Sequence, residues 1–396
     1  YLTAAIGKMH TTTQFMPKEN EEDDWPEDRY GFDVIHTTCD CKTGEYLEWL
    51  KRESPKDYEE VKMQGERKAK EDRASAAEKD VSGPPQVYPS GVNPLYHQSH
   101  WIADRTIDLI RESDPEKPFF AFCSFVDPHH PFDPPEPYAS MYDPDKLEPP
   151  PYTEGELEDK PPHFMKARTA RGFSNEKYDY RRLTPHDWGR VKAAYYGMIT
   201  LIDDNIGRIL QALEEKGIED DTLVLFTSDH GELLGDHGLL FKGPFHYDSI
   251  IKAPMIIKWP GVIPKGSRYS QVTEHADIMP TLLEYAGIRP PYGVQGASMA
   301  PVLRGDKGAG KEYAMTEFNC YDWGLSVKTL TGRDYKITYY AGESYGELFD
   351  RAADPGEIKN LWDDEAYRDV KASMLKKLMD RIIETEDPLP LRIGKY

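Results

Sequence analysis

Thr222-Leu-Val-Leu-Phe-Thr-Ser-Asp-His-Gly-Glu-Leu-Leu-Gly-Asp-His-Gly238 is the stretch on which the reading of the fold turns. Its first six residues form a short apolar run, the length of a strand and with no polar alternation. That pattern fits a strand covered on both faces, as in a parallel sheet. Ser228, Asp229, His230 and Glu232 follow at once. In an open α/β sheet, the residues just past the strand ends line the ligand crevice.

The same design recurs on either side. Residues 1–6 are apolar and run into Gly7-Lys8-Met9-His10. Residues 118–126 contain Phe-Phe-Ala-Phe-Cys-Ser-Phe, read as a strand buried on both faces, and lead into Asp127-Pro-His-His-Pro-Phe132. Residues 254–259 read as a further buried strand, and Phe241-Lys242-Gly243-Pro244 is a fourth short charged stretch. Between them lie helices. Val191, Tyr195, Met198, Ile199, Ile202, Ile206, Ile209, Leu210 and Leu213 repeat at helical spacing, and Lys216-Gly217 ends the run. Residues 100–110 carry a second apolar stripe. Residues 277–286 read as a short helix with Asp277 as N-cap and Gly287 just past its end.

Ten prolines between 131 and 162 leave no room for regular structure and mark a long loop behind a buried strand. Residues 51–80 are charged and read as exposed helix or insertion. Past residue 305 the texture changes. Residues 313–318, 325–330 and 335–340 read as short strands, with Gly332-Arg-Asp as a hairpin loop, and residues 367–383 as an amphipathic helix. Strands alternating with helices, then a small antiparallel set, predict an α/β protein with a mainly parallel sheet flanked by helices. The expected organisation is a large domain over 1–304, with an insertion near 51–95 and the Pro-rich loop 131–162, and a smaller α+β subdomain over 305–396.

The 396 residues carry 49 Lys and Arg against 70 Asp and Glu, a net charge of −21. That argues against a nucleic-acid partner, which needs a basic footprint. No apolar run approaches the ~20 residues of a membrane span. Four cysteines are too few for a disulfide scaffold, and none forms a Cys-x-x-Cys pair.

Singly, each charged stretch has a plain reading. Lys8 and His10 fit an ordinary loop, His129-His130 a proline-stiffened turn, Asp229 a helix cap, and Lys242 a surface lysine. Together they read as a site. Asp229 and His230 offer an oxygen and a nitrogen to a divalent cation. Lys8 and Lys242 supply fixed positive charge, and His10 and His129 donate hydrogen bonds or move protons near neutral pH. Such a set suits the peripheral oxygens of a sulfuryl or phosphoryl group in transfer.

The chain resembles a type I sulfatase of the alkaline phosphatase superfamily. The resemblance rests on Tyr1-Leu-Thr-Ala-Ala-Ile-Gly-Lys-Met-His, Pro128-His-His-Pro-Phe, Thr227 through Gly238, Phe241-Lys-Gly-Pro, Pro254-Met-Ile-Ile-Lys-Trp-Pro-Gly, Asp277-Ile-Met-Pro-Thr-Leu-Leu and Glu347-Leu-Phe-Asp with Asp354-Pro-Gly-Glu. These stretches stand in the family's order and span nearly the whole chain. The resemblance implies an alkaline phosphatase-like fold and hydrolysis of sulfuric esters. It implies that Lys8 and Lys242 grip sulfate oxygens, that His10 hydrogen-bonds the nucleophile, and that His129 assists the leaving group. Asp229 and His230 would be metal ligands, for Ca2+ first, with Mn2+ or Mg2+ as alternatives. Glu232, Asp236 and His237 would orient those ligands.

The family's Cys- or Ser-x-Pro-x-Arg motif, whose first residue becomes formylglycine, has no counterpart among these residues, nor has its paired Asp near the start. The resemblance therefore implies a sulfatase whose nucleophile segment lies before Tyr1, and a chain inactive without it. The expected partner is a sulfate ester, either a small molecule or a glycan. The alternatives are a phosphonate or phosphate monoester hydrolase of the same superfamily, or a non-catalytic carbohydrate-binding relative.

Overall fold

The computed structural model describes residues 1–9, 29–40, 42–76, 83–169, 178–306, 308, 310–320 and 324–386. It divides into two compact units, Tyr1–Pro150 with Ser174–Thr222, and Pro151–Phe173 with Leu223–Tyr396.

The first unit is built on three parallel strands in the order β2-β1-β3. They are β1 (Leu2–Lys8), β2 (Val34–Thr38) and β3 (Phe119–Ser124). β1 is central because it is small and apolar, and Ala4, Ala5 and Ile6 are fully buried. A parallel return needs a crossover. The helix Gln98–Glu112 supplies one, seating Trp101, Ile102, Ile107, Leu109 and Ile110 in the interior. Trp101 and Ile102 join Ala4, Ile6, Tyr46, Leu50 and Val126 in one apolar cluster. The charged segment 51–80 is helical over Pro55–Ala76.

The long periodic stretch forms the helix Pro185–Lys216, six residues longer at its start than its apolar stripe. Thr184 and Asp187 close a reciprocal capping box, and Gly217, at φ 74°, ends the helix in the left-handed region. The stripe is only partly interior: Val191, Met198 and Ile202 are buried, whereas Ile199 is exposed.

In the second unit β4 (Val224–Thr227) pairs with β5 (Met255–Lys258) in antiparallel register, Thr227 opposite Met255. Four antiparallel strands follow in sequential order: β6 (Ala314–Cys320), β7 (Leu325–Thr331), β8 (Tyr335–Tyr340) and β9 (Gly346–Asp350). Gly332 closes the β7–β8 turn through its N–H to Tyr335 O at 2.9 Å. The helix Arg368–Glu384 lays Met374 and Leu378 on Leu330, Ile337 and Leu348 of this sheet.

Three expectations are corrected. β3 is not covered on both faces: Phe120 and Phe122 point the same way and remain 40% and 43% exposed. An uninterrupted apolar run reports hydrophobicity, not the presence of a second covering layer. On β4 and β5, Phe226 and Ile256 are likewise exposed. Asp277 does not cap the helix Ile278–Tyr285. Its carboxylate turns back to the N–H groups of Glu274 and Ala297 and to Lys311, because its backbone is already helical and so oriented away from the first turn.

Candidate active site

In the first unit the C-terminal edge of the parallel sheet carries two of the expected groups. Gly7 lies at φ 98°, and a Cβ there would stand 1.9 Å from Ser124 O, so only glycine lets β1 and β3 close at this point. Lys8 follows, half-buried and making no ion pair among the described residues. An ammonium held this way at a strand end is available to an anion. His10 lies outside the described residues.

Beyond β3 the chain passes through Asp127-Pro-His-His-Pro-Phe-Asp133. The His129 N–H donates to Val126 O at 3.1 Å, and its ring Nδ1 lies 2.6 Å from His130 O. A carbonyl only accepts, so Nδ1 carries the proton. The two imidazoles stack with centroids 4.2 Å apart.

Beneath this turn lies a polar cluster that sequence reading missed. Asp127 and Asp133 are both buried. The Ser99 hydroxyl donates to Asp127 Oδ2, and His97 Nδ1 lies 3.6 Å from the same oxygen. Lys42 Nζ donates to Asp133 Oδ2 at 2.6 Å and to Gln64 Oε1 at 2.9 Å. Burial pushes both carboxyls upward, and the Lys42 charge opposes the shift. Burial, then Lys42, holds His97 down to about 3, so its ring is neutral. The only signal of this cluster in the sequence was a pair of aspartates bracketing the His-His dipeptide.

In the second unit the loop behind β4 folds back on itself. Gly231 donates to Ile250 O at 2.7 Å, and a Cβ on Gly231 would stand 1.9 Å from Ser249 O. Leu233 N–H to Phe241 O at 3.2 Å and Gly235 N–H to Leu239 O at 2.7 Å close the return. This return brings Lys242 to His230. His230 Nδ1 lies 2.7 Å from Gly231 O and therefore carries the proton, and its Nε2 accepts from Lys242 Nζ at 3.1 Å. Asp229 is exposed, its Oδ1 accepting from the His230 N–H at 2.9 Å. Burial pushes the Glu232 carboxyl up to about 7, against the N–H of Leu234 and the charge of Lys242.

His237 serves the loop itself. It is buried, stacks on Tyr247 with centroids 3.6 Å apart, and sets Nδ1 3.1 Å from Glu156 Oε1. Arg168 donates to Gly238 O at 2.6 Å and lies over the Tyr152 ring.

Asp229 and His230 are donors of the right kind for a divalent cation, but two donors do not complete the six to eight ligands that Ca2+ takes. Among the described residues no group of three or more His, Cys, Asp or Glu converges as a metal cage. The described residues thus fit as part of a shell. Of the described cysteine side chains, Cys39 is buried against Thr43, and burial pushes the Cys123 thiol up to about 11, away from the reactive thiolate. Among the described residues no helix is long and apolar enough to cross a membrane.

Comparison with known proteins identifies the family and the fold. The sulfatase family profile matches residues 1–288, and the profile of the N-sulphoglucosamine sulphohydrolase C-terminal region matches residues 235–384. An arylsulfatase of Clostridium perfringens (strain 13 / Type A) is 35% identical over 300 residues, covering 75% of this chain and 60% of that protein. An N-acetylglucosamine-6-O-sulfatase of Bacteroides thetaiotaomicron is 33% identical over 199 residues, covering 48% of this chain and 35% of its own length. The chain spans about three fifths of the length of the first of these. Among solved structures, the phosphonate monoester hydrolase of Agrobacterium radiobacter superposes with a TM-score of 0.78 at 25% identity, covering 98% of this chain and 79% of that one. The fold is therefore the alkaline phosphatase-like α/β fold, with a parallel sheet, flanking helices and an antiparallel C-terminal sheet. With a family profile matched over more than half its length, the chain belongs to the sulfatase family.

Proposed function

We propose that these residues are the larger part of a sulfuric ester hydrolase acting on a sulfated sugar. The observation that carries the reading is the contact between Lys242 and the His230 imidazole, beside the exposed carboxylate of Asp229. The loop spends a glycine at 231 and a left-handed Phe241 to hold a cation and a metal-type donor pair at a strand end. The sugar is favoured over a small aryl ester because the second half matches an N-sulphoglucosamine sulphohydrolase C-terminal region and one relative is an N-acetylglucosamine-6-O-sulfatase.

In this reading Lys8 and Lys242 hold the peripheral sulfate oxygens and stabilise charge that builds on them. As the S–O bond to the leaving group breaks, His129 gives a proton to the departing oxygen from its ring. His10 hydrogen-bonds the nucleophile. The family resemblance supplies the nucleophile as a formylglycine, whose motif these residues do not contain. Asp229, joined by His230 once Lys242 turns from its Nε2 to the sulfate, would hold a divalent cation, Ca2+ in the first instance, and that cation would supply Lewis-acid polarisation of a sulfate oxygen.

The test joins these residues to a segment bearing the Cys- or Ser-x-Pro-x-Arg motif and follows two esters. 4-Nitrophenolate leaves without a proton, whereas a sugar alkoxide needs one. His129→Ala is therefore expected to slow release from 6-O-sulfated N-acetylglucosamine at least about tenfold more than from 4-nitrophenyl sulfate. Equal losses on both esters contradict the role of His129. A second reading, phosphonate monoester hydrolysis, is favoured by the superposition that covers 98% of the chain. Faster turnover of 4-nitrophenyl phenylphosphonate than of either sulfate ester selects it.

A further inference from the structure

Asp127 and Asp133 bracket the turn that carries His129, and both are buried. Each is tied to a different part of the first unit. Asp127 accepts from the Ser99 hydroxyl on the first turn of the helix Gln98–Glu112, with His97 Nδ1 3.6 Å away. Asp133 accepts from Lys42, whose ammonium also donates to Gln64 Oε1, and Gln64 Nε2 donates to Ser90 Oγ at 2.7 Å. Ser90 N–H in turn donates to Pro134 O at 3.2 Å, and Phe132 N–H to Gln86 O at 2.8 Å.

Two buried carboxylates within seven residues are costly, and each stays because a specific donor meets it. A turn needing only to connect β3 to the next segment has no use for them. We propose that the Ser99–Asp127 and Lys42–Asp133 pairs form a two-point clamp whose purpose is to set the orientation of the His129 imidazole. Asp127, Asp133, Ser99 and Lys42 are then positioning residues for that group. The proposal rests on the reading of His129 given above, but its test does not use substrate.

The observable is the His129 Nδ1 proton, which the structure places on His130 O at 2.6 Å. In the chain labelled with 15N-histidine, this proton is expected to be protected from exchange with solvent. Ser99→Ala removes one hydroxyl without adding bulk, and the variant is expected to remain folded by circular dichroism. It is expected to raise exchange of the His129 Nδ1 proton about tenfold or more, while the Nδ1 proton that the buried His237 sets on Glu156 Oε1 keeps its rate. Asp127→Ala does the same, and Asp127→Asn, which keeps an acceptor oxygen for Ser99, retains protection. Unchanged protection of His129 in the folded Ser99→Ala variant overturns the clamp, as does equal loss in Asp127→Ala and Asp127→Asn. Failure of His129→Ala to alter hydrolysis overturns the role of His129 instead, and leaves the clamp measurement standing.

Discussion

Lys242 and His230 meet because a glycine and a left-handed residue turn the chain between them. The charge and imidazole types were legible in the sequence, since both follow a strand-like run at short range. Their direct contact was not, because it depends on the backbone return from 231 to 242. Lys42 and Asp133 were missed for a stronger reason: they are 91 residues apart, and no local pattern links them. Removing a donor aimed at developing charge typically costs 10²–10³ in rate, so Lys242→Ala should lower kcat/KM on a sulfate ester by about that factor, as steady-state kinetics can check. Three buried histidines each weaken the fold in acid. Burial holds His97 and His246 down to about 3 and His163 to about 4. The unfolded chain takes up protons near pH 6.5 that these rings refuse when folded, so stability falls as pH drops below about 6.5. Thermal unfolding should show a His246→Gln variant losing less Tm than the parent between pH 7 and pH 5.

Among the elements, the strands and helices with strong periodicity were read nearly to the residue. The strand at 1–6 extends to Lys8, the helix at 100–110 to Gln98–Glu112, and the terminal helix to Arg368–Glu384. Pairing direction was not readable: β5 runs antiparallel to β4, a choice made by the connection rather than by the strand's own residues. β9 carried its Glu-Leu-Phe-Asp motif without being recognised as a strand, because its ladder with β8 lies outside any local signal. Two element-scale substitutions test the packing. Gly7→Ala forces a Cβ onto Ser124 O at positive φ, and should cost about 3–5 kcal/mol in urea unfolding. Thr184→Ala breaks the capping box of the long helix and should cost about 1 kcal/mol in the same measurement.

Across the whole molecule, composition and charge argued against a nucleic-acid partner, while the ordered set of short motifs pointed to the family that the profile match then showed. The acidic total of −21 coexists with lysines placed at strand ends, so net charge described the surface rather than the site. The exposed Phe120 and Phe122 show the complementary limit: an apolar run records what a strand is able to bury, and covering it takes partners that lie elsewhere in the fold. The central claim is that this chain is the larger part of a sulfated-sugar hydrolase. Its most direct test is sulfate release from 6-O-sulfated N-acetylglucosamine by these residues joined to a segment carrying the nucleophile motif. The account predicts release that Lys8→Ala and Lys242→Ala each reduce by about 10²-fold or more. Release undiminished in both variants, or turnover confined to phosphonate esters, would contradict it.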